Sequence, residues 1–121
     1  MMVEDFPAKE ESIIREVLLE GLDDWVPVDR VIGMARELAE EDGEEFRGLA
    51  TSVLELVLRR ELMTVGEIGE SGFESWLAPA DAVVASVVAR LDGVDWLPLG
   101  GACWLANTSA GDRLATEWLA G

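Results

Sequence analysis

Residues 44–77, EEFRGLATSVLELVLRRELMTVGEIGESGFESWL, change their hydrophobic period part-way along, and that change decides the fold. Phe46, Leu49, Ala50, Val53, Leu54, Val57 and Leu58 recur at i, i+3, i+4 and i+7, the stripe of an amphipathic helix. Glu44 and Glu45 stand in its first turn and Arg59-Arg60 in its last, where each sign suits the helix dipole. From Leu62 to Ile68 and from Gly72 to Leu77 the period falls close to two, with Gly66, Gly69 and Gly72 around the turn. This predicts a β-hairpin directly after a helix.

Upstream, two more helices are expected. Pro7 suits a first helical turn, and Ile13, Ile14, Val17, Leu18 and Leu22 make one stripe over about residues 8–21. Val28, Val31, Ile32, Ala35, Leu38 and Ala39 make another, which Gly43 closes as a C-terminal cap. Between them Trp25–Val28, WVPV, reads as a short strand, and Pro27 confines it to a sheet edge. Downstream, Pro79 opens a fourth helix with Val83, Val84, Val87, Val88 and Leu91 on its buried face. An irregular stretch, VDWLPLGG, follows, then a strand at about Ala102–Ala106. Thr108 or Ser109 caps a last helix that presents Leu114, Ala115, Trp118 and Leu119.

The order helix, short strand, helix, helix, two-stranded wing over about residues 8–77 resembles the winged helix-turn-helix superfamily. Trp104–Ala115, WLANTSAGDRLA, is similar to the wing-exit pattern of MarR- and PadR-like regulators, in which a hydrophobic-Leu-Thr-x-x-Gly stretch opens a C-terminal helix. Here Asn107 intervenes before Thr108, and the fourth helix lies between hairpin and motif. The resemblance implies an α+β fold, a winged helix-turn-helix. It would be mainly helical, with a two- to three-stranded antiparallel wing and additional C-terminal helices, as a single domain over residues 1–121.

Charge argues against the usual task of that fold. The chain carries 25 acidic and nine basic residues, a net −16. Residues 1–24 sum to −6, 25–61 to −4, 62–77 to −3 and 78–121 to −3, so no region is basic. DNA binders draw in the phosphate backbone with Lys and Arg. On the third helix, where groove-reading side chains would stand, Arg47 is the one strong donor, with Thr51 and Ser52 beside it. The wing holds Glu67, Glu70 and Glu74 and no base. A DNA-binding regulator acting through Arg47, Thr51 and Ser52, as a dimer built on the last helix, is therefore the alternative reading.

The leading expectation is a small non-enzymatic protein-interaction module that meets a basic partner, since complementary potentials steer association. An adaptor or an immunity- or antitoxin-like inhibitor is one concrete form. The densest acidic run, Glu37, Glu40, Glu41, Asp42, Glu44 and Glu45, is the candidate binding patch, extended by Glu4, Asp5, Glu10 and Glu11. Trp96, Leu97 and Leu99 in the irregular stretch are the candidate apolar contact for a partner or a second copy. The same acidity also suits a solubility role, and one Lys against eight Arg fits a GC-rich bacterial genome.

Several chemistries lack their residues. With no histidine, the usual general base, metal ligand and Ser-His or Cys-His pairs are missing. A single cysteine, Cys103, forms no internal disulfide and builds no thiolate cluster; it reads as a small apolar filler. The acidic run lacks the D-x-D-x-D-G order of a calcium loop. No cofactor, metal or enzymatic activity is expected. No apolar run approaches the ~20 residues that span a bilayer, and the acidic start MMVEDFPAKEE is unlike a signal peptide. A cytoplasmic location is expected.

Overall fold

A computed structural model of the chain describes residues 6–43, 45–98 and 102–121, the side chain of Asp42 excepted. Five helices and four strands follow one another: α1 (Ala8–Gly21), β1 (Val26–Pro27), α2 (Val28–Asp42), α3 (Phe46–Arg59), β2 (Met63–Gly69), β3 (Gly72–Ser75), α4 (Ala80–Asp92), β4 (Trp104–Asn107) and α5 (Ser109–Ala120). The apolar stripes fall inward as their spacing requires. Ile13, Ile14, Val17 and Leu18 of α1, Leu49, Ala50, Val53, Leu54 and Val57 of α3, and Val83, Val84, Val87 and Leu91 of α4 are all buried.

The helix ends follow their local chemistry. Gly43 ends α2 in the left-handed region at φ 68°, its amide returning to the Ala39 and Glu40 carbonyls. Glu45 stands just outside α3 as its N-cap and accepts from the Arg47 amide at 3.0 Å. Thr108 caps α5 by accepting from the Gly111 amide at 3.1 Å, while its hydroxyl donates to the Glu61 carbonyl. On α5 Ala115 is buried, Leu114 and Trp118 are half-buried, and Leu119, expected to face inward, is exposed. Trp118 of the same turn packs on the core beneath Arg15, so Leu119 one position on faces away from it.

The β structure is larger than the expected two- to three-stranded wing. All four strands form one antiparallel sheet in the order β1-β4-β2-β3. β1 lies at an edge, as Pro27 requires, and pairs with β4 through Val26 and Leu105. The hairpin forms too, Gly66–Gly69 facing Gly72–Ser75. But β2 divides its pairing. Met63–Gly66 lies beside Trp104–Asn107 of β4, so Gly66 faces both Ser75 and Trp104. The stretch from β3 through α4 is thus an excursion between two strands that pair side by side. The sheet also curls: Trp25, just before β1, packs its ring on Phe73 of β3 at 6.0 Å and passes 3.3 Å from where a Gly72 methyl would stand.

α5 seats directly on this sheet. A methyl at Gly111 would run into the Leu62 carbonyl oxygen, so only glycine allows the approach. Asn107 donates to the Leu18 carbonyl at 2.9 Å and to Asp112 at 3.0 Å, tying β4, α1 and α5 at one corner. No helix among the described residues is long and apolar enough to cross a membrane.

Candidate functional site

Helical geometry divides the acidic run into two places. Glu37, Glu40 and Glu41 are exposed on the last turns of α2, and Glu45 is exposed at the start of α3. Glu44 and the side chain of Asp42 lie outside what the structure describes, as do Glu4 and Asp5. Glu37 turns toward α1. With Glu11, Glu16 and Arg15 it rims a groove of about 310 Å3 between α1 and α2, whose apolar side is Ile13, Met34 and Leu38. Glu40 belongs elsewhere, in a hollow of about 230 Å3 with Arg36, Ala39 and Phe46.

The groove's electrostatics are visible in Arg30, just along the same seam. Its guanidinium meets the Glu20 carboxylate through two nitrogens, at 2.9 and 2.7 Å. Arg30 is held above its ordinary pKa first by that hydrogen bond. Burial opposes this, and the negative fields of Glu20, Glu16 and Glu37 add to it. Glu20 is the carboxylate in contact with this cation, and Glu16 and Glu37 act on it through their fields. Sequence reading found Glu37 and Glu11 but passed over Glu16, whose place opposite α2 no local pattern announces.

The expected apolar patch is corrected. Trp96 is only 3 % exposed, and it is a core residue. Asp95 and Trp96 adopt positive φ of 53° and 58°, which turns the chain back so that the Trp96 amide bonds the Leu91 carbonyl at 2.7 Å. The indole then drops against Phe46, edge to face at 6.0 Å, and donates to Asp92 at 2.7 Å. Asp95 is a residue type that tolerates left-handed backbone, but the bulky Trp96 in that region is hard to foresee. Leu97 stays exposed, and Leu99 lies outside the described residues.

The three groups of the DNA alternative are each engaged. Arg47 lies 5.2 Å over Phe46 and 3.6 Å from Glu45, its side chain about half exposed. The Thr51 hydroxyl donates to the Arg47 carbonyl within its own helix, and Ser52 donates to Glu10 of α1 at 2.8 Å. Other guanidinium groups are similarly occupied. Arg36 donates to the Trp96 carbonyl at 2.9 Å, Arg59 pairs with Asp81 and Arg90 with Glu67, each at 2.7 Å. Arg15 stacks over Trp118 and Arg60 over Phe6, at 4.8 and 4.4 Å.

Little here suits covalent or metal chemistry. The Cys103 thiol is pushed up to about 12 by desolvation first, with Arg90 opposing and Asp29 and Glu67 adding, so it stays protonated and unreactive. Among the described residues no group of three or more metal-ligating side chains is placed to hold an ion. Comparison with known proteins found no matching family model, no matching curated protein and no matching solved structure.

Proposed function

We propose that this chain is a non-enzymatic protein-interaction module on a winged-helix scaffold, and that it meets a basic partner across the acidic seam of α1 and α2. An adaptor, or an inhibitor of the immunity or antitoxin kind, is the form such a module takes. The observation that carries the reading is the disposal of the arginines. Seven of the eight are tied to a carboxylate, an aromatic ring or a backbone carbonyl. Glu11, Glu16 and Glu37 outnumber Arg15 around the groove between α1 and α2, and Arg15 is itself stacked over Trp118. Such a rim favours a basic amphipathic segment, whose charges meet the glutamates while its apolar side covers Met34 and Leu38.

The scaffold part of the proposal is supported by the course of β4. It leads into the Thr108–Gly111 turn that resembles a wing exit, and it pairs with β2, the strand that leaves α3. A wing-exit strand has that neighbour.

The test is capture from the native host, followed by titration calorimetry with the captured protein. The reading expects a protein of high isoelectric point whose affinity falls as salt rises. A Glu11→Gln, Glu16→Gln, Glu37→Gln triple variant should bind about tenfold or more weakly. Duplex binding in a low-salt gel shift that vanishes in Arg47→Ala would overturn the proposal in favour of a regulator.

A further inference from the structure

The hydrogen-bond pattern of the sheet fixes which way each backbone group of β3 points. Bonded and non-bonded positions alternate along an antiparallel pair. The Thr108 amide donates to the Leu62 carbonyl at 3.0 Å and the Trp76 amide to the Val65 carbonyl at 2.8 Å. In step with those two bonds, Thr64 and Gly66 turn their main-chain groups toward β4, and Glu67 and Gly69 turn theirs toward Glu74 and Gly72. Phe73 and Ser75 are the positions between, so their N–H and C=O groups face away from β2, off the edge of the sheet. Among the described residues no element besides β2 packs closely on β3, and Glu74 and Ser75 are exposed. The edge is open.

Such a row of main-chain groups is a template for one more strand. The two faces of the hairpin state what that strand would carry. On one face Phe73 stands opposite Ile68, which is 45 % exposed, and meets the Trp25 ring at 6.0 Å. On the other face Glu74 stands opposite Glu67, and its carboxylate lies over Gly69. Arg90 pairs with Glu67, but Glu70 and Glu74 have no ion-pair partner among the described residues. Residues 62–77 supply no Lys or Arg to either of them. One side of the edge is thus apolar, and the other carries uncompensated negative charge.

We propose that β3 docks an extended basic segment of a partner protein, which joins the sheet as a further strand. Its main chain bonds Phe73 and Ser75, its apolar side chains lie beside Phe73, and its lysines or arginines lie beside Glu74 and Glu70. The same charge turns a second copy away. With Phe73 of each β3 bonded to Ser75 of the other, the two Glu74 side chains would stand directly opposite, where like charges destabilise. A helix brings no free main-chain groups to such an edge, because its own turns occupy them. The edge is separate from the α1–α2 groove, and neither surface depends on the other.

The probe is a synthetic peptide of about six residues, alternating lysine and valine, long enough to cover the edge. It is titrated into the full chain while amide hydrogen exchange is followed residue by residue. In the free chain the Phe73 and Ser75 amides should exchange fast and the Trp76 amide slowly. The peptide should slow Phe73 and Ser75, and its N-methylated or glutamate-for-lysine forms should not. Ser75→Pro removes one outward N–H without touching the ladder to β2, and it should weaken binding about fivefold to tenfold. Glu74→Lys should weaken it about tenfold or more. The Glu11→Gln, Glu16→Gln, Glu37→Gln variant should show the same protection as the parent. Loss of protection in that variant places the peptide in the α1–α2 groove and overturns the proposal while sparing the groove. Unprotected Phe73 and Ser75 amides at saturating peptide overturn it too, as does equal binding of the N-methylated or the glutamate peptide. So does binding that survives both Ser75→Pro and Glu74→Lys. Protection that appears in the chain alone as its concentration rises marks a second copy, and it overturns the proposal likewise.

Discussion

The first half of β2, Met63–Gly66, and its second half, Glu67–Gly69, share one strand but have different surroundings. Met63 and Val65 are buried, whereas Ile68 is 45 % exposed. Both halves are hydrogen-bonded, the first to β4 and the second to β3. What differs is the cover. α3 packs on β2 and α1 and α5 pack on β4, while the four-residue β3 closes the edge of the sheet. Hydrogen bonds contribute about 1 kcal/mol each on balance, because water competes for them. Apolar area removed from water decides which half holds the molecule together. The contrast separates a structural region from a presenting one, and the presenting half runs directly into Trp76 and Leu77.

Substitutions can break this contrast or sharpen it. The largest effect belongs to Leu105, wholly buried on β4 opposite Val65. Leu105→Ala should cost about 3–5 kcal/mol in denaturant unfolding, and a loss as small as that of a surface residue would abolish the distinction. Gly111→Ala comes next. In an open helix that change would stabilise by about 1 kcal/mol. Here the new methyl meets the rigid Leu62 carbonyl, so a destabilisation of about 2–3 kcal/mol is expected. The sign alone is informative.

Cys103, just before β4, supplies a pH test of the buried half. Its thiol is raised from 9.0 to about 12, mainly by desolvation, so above pH 9 the unfolded chain loses the proton while the folded chain keeps it. Folding then binds more protons, and stability falls as pH rises from about 9 toward 12. A loss of order 1–2 kcal/mol by about pH 10.5 is expected, and Cys103→Ala should remove that part of the alkaline decline. The smallest effects belong to the presenting half. Ile68→Ala should stay within about 0.5 kcal/mol. Gly69→Ala should be similarly mild, because the obstacle there is the mobile Glu74 carboxylate rather than backbone.

Much of this was legible in the residues. The stripes of α1, α3 and α4, the cap at Gly43, the edge position of Pro27 and the Thr108 cap follow from rules that act over three or four residues. Those rules depend on dihedral preference and on which side of a helix a residue occupies. The lack of histidine and the net −16 are properties of composition and need no fold. The sequence by itself thus determined the elements and the sign of the surface. Only the tertiary structure decided that β4 lies between β1 and β2, that Trp96 turns into the core, that Glu37 joins Glu11 and Glu16 while Glu40 does not, and that Leu77 projects from its own fold. Each of those depends on which distant segment covers a residue. A periodic pattern names the face that must be hidden, but long-range packing chooses what hides it.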